Sequence, residues 1–406
     1  MIKQPVKSES EPTTERSRRR SMADFLANTV KSIPPSGIRR FFDLVSGSKD
    51  VISLGVGEPD FVTPWRFRDA AVYSIEKGRT QYTSNAGIPE LREAIAQYLH
   101  DRFRLTYDPA KEILVTVGAS EAVDLSLRAL VNPGDEVLIP EPSYVCYSPI
   151  TTLCGGVAVG IETFPEDGFK LTAPALRAAL TPKSKVLILS YPSNPTGAIM
   201  TYDELLPIAR VVEEHDLIVV ADEIYAELTY GPKHVSIASL PGMRDRTVLV
   251  SGLSKAFAMT GWRMGYACGH PEIIAAMLKI HQYTVMCAPI MSQVAAIEAL
   301  RNGIEEMERM VESFNQRRRL FIQGLRDIGL PCHEPQGAFY AFPSIRHTGL
   351  TSEQFAERLF REAKVAAVPG NVFGKGGEGF LRCSYATSPS LLQEALERIG
   401  KFLKSL

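Results

Sequence analysis

The chain predicts an α/β fold: a three-layer sandwich around a mainly parallel central sheet, with a smaller α+β domain behind it. Three observations carry that expectation. From about residue 110, short apolar runs alternate with longer helical segments. Most of these runs are near-continuously apolar and β-branched, as strands buried on both faces are, where a strand with one wet face would alternate. After about residue 290 the texture shifts to long helical stretches with a few strand-like runs between them, which is an α+β pattern.

Taken in order, residues 1–21 are rich in Ser, Glu, Arg and Pro and are expected to form a disordered tail. Their basic run, Arg16, Arg18, Arg19 and Arg20, reads as a solvated leader rather than a nucleic-acid contact. Residues 22–50 are expected to complete the small domain, with Pro34-Pro35-Ser36-Gly37 breaking a helix-like stretch. Residues 51–295 form the large domain. Its strand candidates are 113–117, 137–140, 157–161, 186–190, 217–221, 247–251 and 264–268, and its helices include 120–131, 173–180 and 202–215. The stretch 142–161 has no charge and is long enough to span a bilayer. Pro149, Thr151-Thr152 and Gly155-Gly156 interrupt it, so a helix, a glycine turn and a strand are expected instead. Residues 296–406 form the small domain. It contains most of a long helical stretch from 292 to about 329, with Gly303 as a break. Strands near 338–342, 365–368 and 380–385 follow, with helices at 352–363 and from about 388.

Composition narrows the function. Hydrophobic residues are 45% and charged residues 22% of the 406, an ordinary globular profile. Lys plus Arg is 45 and Asp plus Glu 46, a net charge of -1. That balance speaks against a dedicated binder of nucleic acid or of an anionic membrane. The six cysteines form no C-x-x-C pair, so no metal site is expected. Scattered cysteines and the lack of an apolar leader suggest a cytoplasmic protein.

In an open parallel sheet, ligands bind at the carboxyl ends of the strands. Four such ends carry polar or small residues. Gly118-Ala119-Ser120 follows the first strand and opens a helix. Asn194 lies in Tyr191-Pro192-Ser193-Asn194-Pro195-Thr196-Gly197, after the run 186–190. Asp222 directly follows 217–221, with Tyr225 three residues on, and Lys255 follows 247–251. A glycine-led helix start suits phosphate. A lysine amine can form a Schiff base with an aldehyde. An aspartate can keep a pyridine nitrogen protonated, and Asn and Tyr can hydrogen-bond a phenolate oxygen. Singly, Asp222 could be a helix cap, Asn194-Pro195 a turn and Lys255 a surface charge. Together they describe pyridoxal 5'-phosphate.

The stretch Ser251-Gly252-Leu253-Ser254-Lys255-Ala256-Phe257-Ala258-Met259-Thr260-Gly261-Trp262-Arg263-Met264-Gly265 resembles the lysine-attachment signature of class I aminotransferases of pyridoxal-phosphate fold type I. Gly252, Lys255, Arg263 and Gly265 fit its spacing. The resemblance runs from about Ser36 to the end. Asn194-Pro195-Thr196-Gly197 and Asp222-Glu223-Ile224-Tyr225 match two further elements, and Gly57-Glu58-Pro59-Asp60-Phe61 looks like the family's N-terminal one. Gln81-Tyr82 with Gly87-Ile88-Pro89-Glu90-Leu91-Arg92 is similar to a segment that crosses to the partner subunit. Phe380-Leu381-Arg382-Cys383-Ser384-Tyr385-Ala386 is similar to the element that grips the substrate. The prokaryotic aspartate and aromatic branch is the nearest in look.

The resemblance implies an amino acid:2-oxo acid aminotransferase that acts reversibly, with 2-oxoglutarate as the expected acceptor. It implies that Lys255 bears the Schiff base and shuttles the proton. Asp222 would hold the ring nitrogen protonated, while Asn194 and Tyr225 bind the ring oxygen and Tyr144 stacks on the ring. Gly118, Ala119, Ser120 and Arg263 would bind the phosphate, joined by Tyr82 of a homodimer partner. Arg382 would bind the α-carboxylate in a bidentate manner, and Gly57 would let the backbone approach it. Two positions depart from the pattern. Gly252 stands where many relatives have a phosphate-binding serine, leaving Ser251 or Ser254 to substitute. Ser120-Glu121 stands where thermophilic aspartate-specific relatives place a lysine, which weakens strict dicarboxylate specificity. A lyase or synthase of the same fold, such as a carbon–sulfur lyase, is the alternative. Gly374-Lys375-Gly376-Gly377-Glu378-Gly379 satisfies G-x-G-x-x-G but precedes a strand-like run, so it reads as a turn. The histidines are unclustered and read as structural. Residues 338–340 are expected in a core strand, with a share in the substrate wall.

Overall fold

The computed structural model describes residues 21–35, 37–38 and 50–406. The expected tail, Ser21 apart, and Arg39-Arg40-Phe41-Phe42 lie outside the described residues. The chain up to Pro34 is a unit by itself. It holds a 3-10 turn, Met22–Phe25, closed by the Asp24 carboxylate on the Ser21 N–H at 2.8 Å, and a short helix, Asn28–Ser32.

Pro35–Leu406 is the second unit. Its first strand, β1 (Ile52–Ser53), belongs to a small sheet. Seven strands then build the central sheet: β2 (Ile113–Thr116), β3 (Glu136–Glu141), β4 (Val157–Glu162), β5 (Ser184–Leu189), β6 (Ile218–Asp222), β7 (Thr247–Gly252) and β8 (Gly265–Cys268). Their order is β2-β8-β7-β6-β5-β3-β4. The strands from β7 to β4 pair parallel, whereas β8 runs antiparallel to both β7 and β2. No crossover helix separates β7 from β8, so the chain can only return antiparallel. That return carries Lys255.

Successive residues of a strand point to opposite faces, and here the two faces feed two cores. Leu187 and Val219 pack with Leu205, Ile208 and Val212 of the helix Tyr202–Glu214 on one side. Val186, Ile188 and Val220 pack with Val123 and Leu127 of the helix Ala119–Leu130 on the other. This is the expected three-layer sandwich. β4 departs from it: this edge strand has one neighbour, and Val157 is 48% exposed.

The uncharged stretch becomes the helix Tyr147–Leu153, the Gly155-Gly156 turn and β4. Gly303 separates the helices Ile290–Asn302 and Ile304–Asp327, and a Cβ there would fall 2.2 Å from the Phe67 ring. Beyond them come β9 (Tyr340–Ala341), the helix Ser352–Ala363, β10 (Val365–Ala366), β11 (Val368–Pro369), β12 (Leu381–Ser384) and the helix Pro389–Leu403. The expected strand 365–368 divides: β10 pairs parallel with β1, while β11 pairs antiparallel with β12. The expected strand 338–342 shrinks to two residues. Ala338 has a φ of 55° and gives its N–H to the Leu228 carbonyl, which takes it out of the ladder. Among the described residues no helix is long and apolar enough to cross a membrane, and no group of three or more His, Cys, Asp or Glu is placed to hold a metal.

Candidate active site

The strand ends converge on one cavity of about 670 Å³. Every residue that the resemblance assigns to cofactor or substrate lines it except Gly118 and Tyr82.

At one end, the helix Ala119–Leu130 begins at Gly118, whose φ of 79° suits glycine. Its first N–H groups have no intrahelical partner and face an anion favourably. Gly118 is not itself part of the wall because it backs onto the guanidinium of Arg263; a Cβ on it would fall 2.4 Å from Nη2. A Cβ on Gly265 would fall 2.4 Å from the Gly118 carbonyl carbon and 2.5 Å from the Ala119 nitrogen. Helix start, β8 start and Arg263 thus close around one spot, and both glycines are needed for it. Exposed Arg263 donates from Nη1 to the Thr260 carbonyl at 3.1 Å.

The same packing accounts for Gly252. It pairs with Gly265 across β7–β8, and a Cβ on it would meet the Met264 carbonyl oxygen at 2.7 Å. Both neighbours are backbone and cannot swing away. Gly252→Ser is expected to destabilise the fold by about 1–3 kcal/mol, measured as a lowered denaturation midpoint; an unchanged midpoint would contradict this packing. Of the two candidate serines, Ser254 lines the cavity, whereas Ser251 donates to the Glu223 carbonyl at 3.3 Å. Glu121 does not line the cavity either. Its carboxylate accepts from the Val117 N–H at 2.5 Å and meets His281 Nδ1 at 2.8 Å.

Lys255 sits mid-cavity, its amine donating to the Gly57 carbonyl at 2.6 Å. Burial, with Arg382 and Arg263 nearby, lowers its pKa to about 8. The buried Asp222 ends β6. Burial pushes its carboxyl up from the usual range, and a hydrogen bond from Tyr147 opposes that. Tyr147 is a residue the sequence reading missed. Its buried hydroxyl donates to Asp222 Oδ2 at 2.8 Å and lies 2.9 Å from Ser190 Oγ. Only its place three residues after Tyr144 could have marked it. Tyr144 stands edge-to-face on Tyr147, and burial pushes its phenol up to about 12.

Arg382, on β12, is 2% exposed. It donates from Nη1 to Asn194 Oδ1 at 3.1 Å and from Nη2 to the Gly55 carbonyl at 2.5 Å. Its Nε is buried with no partner among the described residues. A carboxylate would satisfy such a group. Tyr340 stacks under this guanidinium at 4.6 Å, and its hydroxyl lies 2.8 Å from that of Tyr225. A Cβ on Gly57 would fall 2.6 Å from the same Tyr340 hydroxyl and 3.9 Å from Arg382 Nη1. Residue 57 must therefore be small to sit beside Arg382, and Tyr340 belongs to the cavity wall as well as to the core. Tyr82 does not line its own subunit's cavity and is 81% exposed.

This donor set fits pyridoxal phosphate. Lys255 offers an amine to the aldehyde, Asp222 a carboxylate to the ring nitrogen, and the helix start with Arg263 a cradle for phosphate. The cradle closes so tightly that neither glycine can carry a side chain.

Known proteins agree. The family model for aminotransferase class I and II matches residues 49–399. The chain is similar to "Putative aminotransferase YugH" of Bacillus subtilis, 56% identical over 94% of this chain and 99% of the relative. It is similar to an aspartate aminotransferase of Pyrococcus abyssi, 46% identical over 93% and 98%. Among solved structures, an aromatic aminotransferase from Pyrococcus horikoshii superposes with a TM-score of 0.87 at 45% identity, over 91% of this chain and 99% of that one. The relatives favour amino transfer over the carbon–sulfur lyase alternative. Fold, cavity and relatives converge: the chain belongs to the class I and II aminotransferases, and it is a pyridoxal-phosphate-dependent amino acid aminotransferase of fold type I.

Proposed function

We propose that this aminotransferase exchanges the amino group of an aspartate-type or aromatic amino acid with 2-oxoglutarate, with some breadth in its donors. The relatives' names support both donor classes. The observation that carries the reading is the buried Arg382 with its unpaired Nε, in the cavity that also holds Lys255 and Asp222.

When bound, pyridoxal phosphate supplies an electron sink for the pair left as a Cα–H bond breaks. The chain's residues divide the remaining work. Lys255 would hold the cofactor by its aldehyde, and its amine would move the proton at Cα. Its lowered pKa keeps a share of the amine neutral near neutral pH, as a base or nucleophile must be. Asp222 holds the proton on the ring nitrogen, and Tyr147 holds Asp222 in place. Asn194 and Tyr225 bind the ring oxygen, and Tyr144 covers the ring. Ala119, Ser120, Ser254 and Arg263 hold the phosphate, with Gly118 making room for Arg263. Arg382 would fix the α-carboxylate and so orient the bonds at Cα.

One pH dependence follows. Apoenzyme should capture the cofactor aldehyde at a rate that rises with pH about a midpoint near 8, because only the neutral amine attacks. Stopped-flow absorbance would show it, and a midpoint near lysine's ordinary value of about 10.4 would contradict it.

We further infer a cytoplasmic homodimer in which Tyr82 reaches the neighbouring phosphate. The exposed Tyr82 supports this, as do Trp65 and Tyr283, which are 62% and 84% exposed. The large domain is proposed to end near residue 295. In support, the central sheet lies within Ile113–Cys268, while β1 pairs with β10. The deciding experiment is a panel of half-reactions, with amino acids added singly to the purified holoenzyme and the cofactor spectrum followed. Conversion to the pyridoxamine form by aspartate and by an aromatic donor supports the reading. Conversion by neither removes the proposed donor classes.

A further inference from the structure

Glu121 and His281 form a buried pair that the chemistry above does not use. His281 lies in the helix Pro271–Thr284 with no exposed surface. Its Nδ1 meets Glu121 Oε1 at 2.8 Å, and its Nε2 is buried with no partner among the described residues. A phenylalanine would fill that volume without burying an unpaired nitrogen, which is costly. The structure thus keeps an imidazole here for its Nδ1 contact.

The pair joins two segments. On one side, Glu121 Oε2 accepts from the Val117 N–H at 2.5 Å. Val117 leads into Gly118 and the helix start, so Glu121 sets the path of the phosphate loop. On the other side, the His281 carbonyl accepts from the N–H groups of Val285 and Met286, each at 3.0 Å, as its helix ends. Met286, at a φ of 68°, turns its carbonyl to Asn85, whose side chain donates to it at 2.8 Å. Asn85 lies three residues beyond the exposed Tyr82. Gln293 steadies the same segment, donating to Thr83 Oγ1 at 3.1 Å and accepting from the Ile88 N–H at 2.8 Å.

We propose that His281 is a positioning residue that couples a subunit's own phosphate loop to the segment carrying Tyr82, and so to the cofactor site of the neighbouring subunit. The proposal rests on the dimer reading of Tyr82. Energy passes here through contiguous hydrogen bonds, Val117–Glu121–His281 and then Met286–Asn85, and not through loose proximity.

The test is made in mixed dimers of differently tagged, co-expressed subunits. One subunit keeps Lys255; the other carries Lys255→Ala, so only one site holds cofactor covalently. His281→Phe is placed on the Lys255→Ala subunit, and cofactor release from the intact subunit is timed by its absorbance. Release is expected to quicken about fivefold or more, a coupling of ordinary size. His281→Asn, whose amide can stand in for Nδ1, should restore most of the wild-type rate. Should His281→Phe fail to fold, Glu121→Leu on the same subunit should give the same acceleration. Tyr82→Phe on that subunit serves as the control. If Tyr82→Phe quickens release and neither the His281 nor the Glu121 variant does, His281 is mere packing and the coupling is refuted. If Tyr82→Phe also leaves release unchanged, the dimer reading of Tyr82 falls and takes the proposal with it.

Discussion

Lys255→Ala is expected to abolish transamination, lowering kcat by about 10⁴-fold or more, since acid–base work alone is worth about 10²–10⁴ and the attachment point is lost as well. Borohydride should no longer fix the cofactor to the chain. The expectation follows from what else is near. The other cations lining the cavity from the described residues are Arg263 and Arg382. Guanidinium groups stay protonated at any working pH, so neither can attack an aldehyde or accept a proton. Lys255→Arg should therefore fail equally, although it keeps the charge. The fold should survive, because Lys255 is only half-buried and its hydrogen bond is to the Gly57 carbonyl. A variant that retained both turnover and borohydride-stable attachment would remove Lys255 from the centre of the site.

Much of this was legible in the sequence because the sheet imposes it. Buried parallel strands leave continuous apolar runs, and a ligand site must lie at their ends. Asp222, Lys255 and Asn194 could thus be placed by counting from a strand. Tyr147 could not, and Tyr340 was expected in a core strand with a share in the substrate wall but without its place beside Arg382. Tyr147 reaches Asp222 from a helix 75 residues away in the chain, and a tyrosine in an apolar run looks like any core residue. Tyr340 sits on a two-residue strand whose shortness depends on the backbone of Ala338. The fate of Gly252 was also hidden, since it depends on the β7–β8 register with Gly265. Glu121 was noted only as standing where some relatives have a lysine, and its part in binding Val117 and His281 was not visible. In each case a deciding contact comes from another element of the fold, which the local periodicity of a segment does not report.

Arg382→Lys is expected to lower kcat/KM by about 10²-fold, mostly through KM, since each hydrogen bond to a charged group is worth about 1.5–3 kcal/mol. Two losses combine. A lysine offers a point charge in place of the planar fork that meets a carboxylate with two parallel bonds. It also withdraws the donors now serving Asn194 Oδ1 and the Gly55 carbonyl. Those acceptors would be left buried and unpaired, at a cost of about 1–3 kcal/mol each, and Asn194 would lose its orientation toward the ring. The pattern across substrates matters more than the size. The α-carboxylate is common to every amino donor and every 2-oxo acid, so the loss should be nearly uniform over the panel and present in both half-reactions. A loss confined to dicarboxylic substrates would instead assign Arg382 to the side-chain carboxylate. An unchanged profile for several amino acids would remove it from substrate binding altogether.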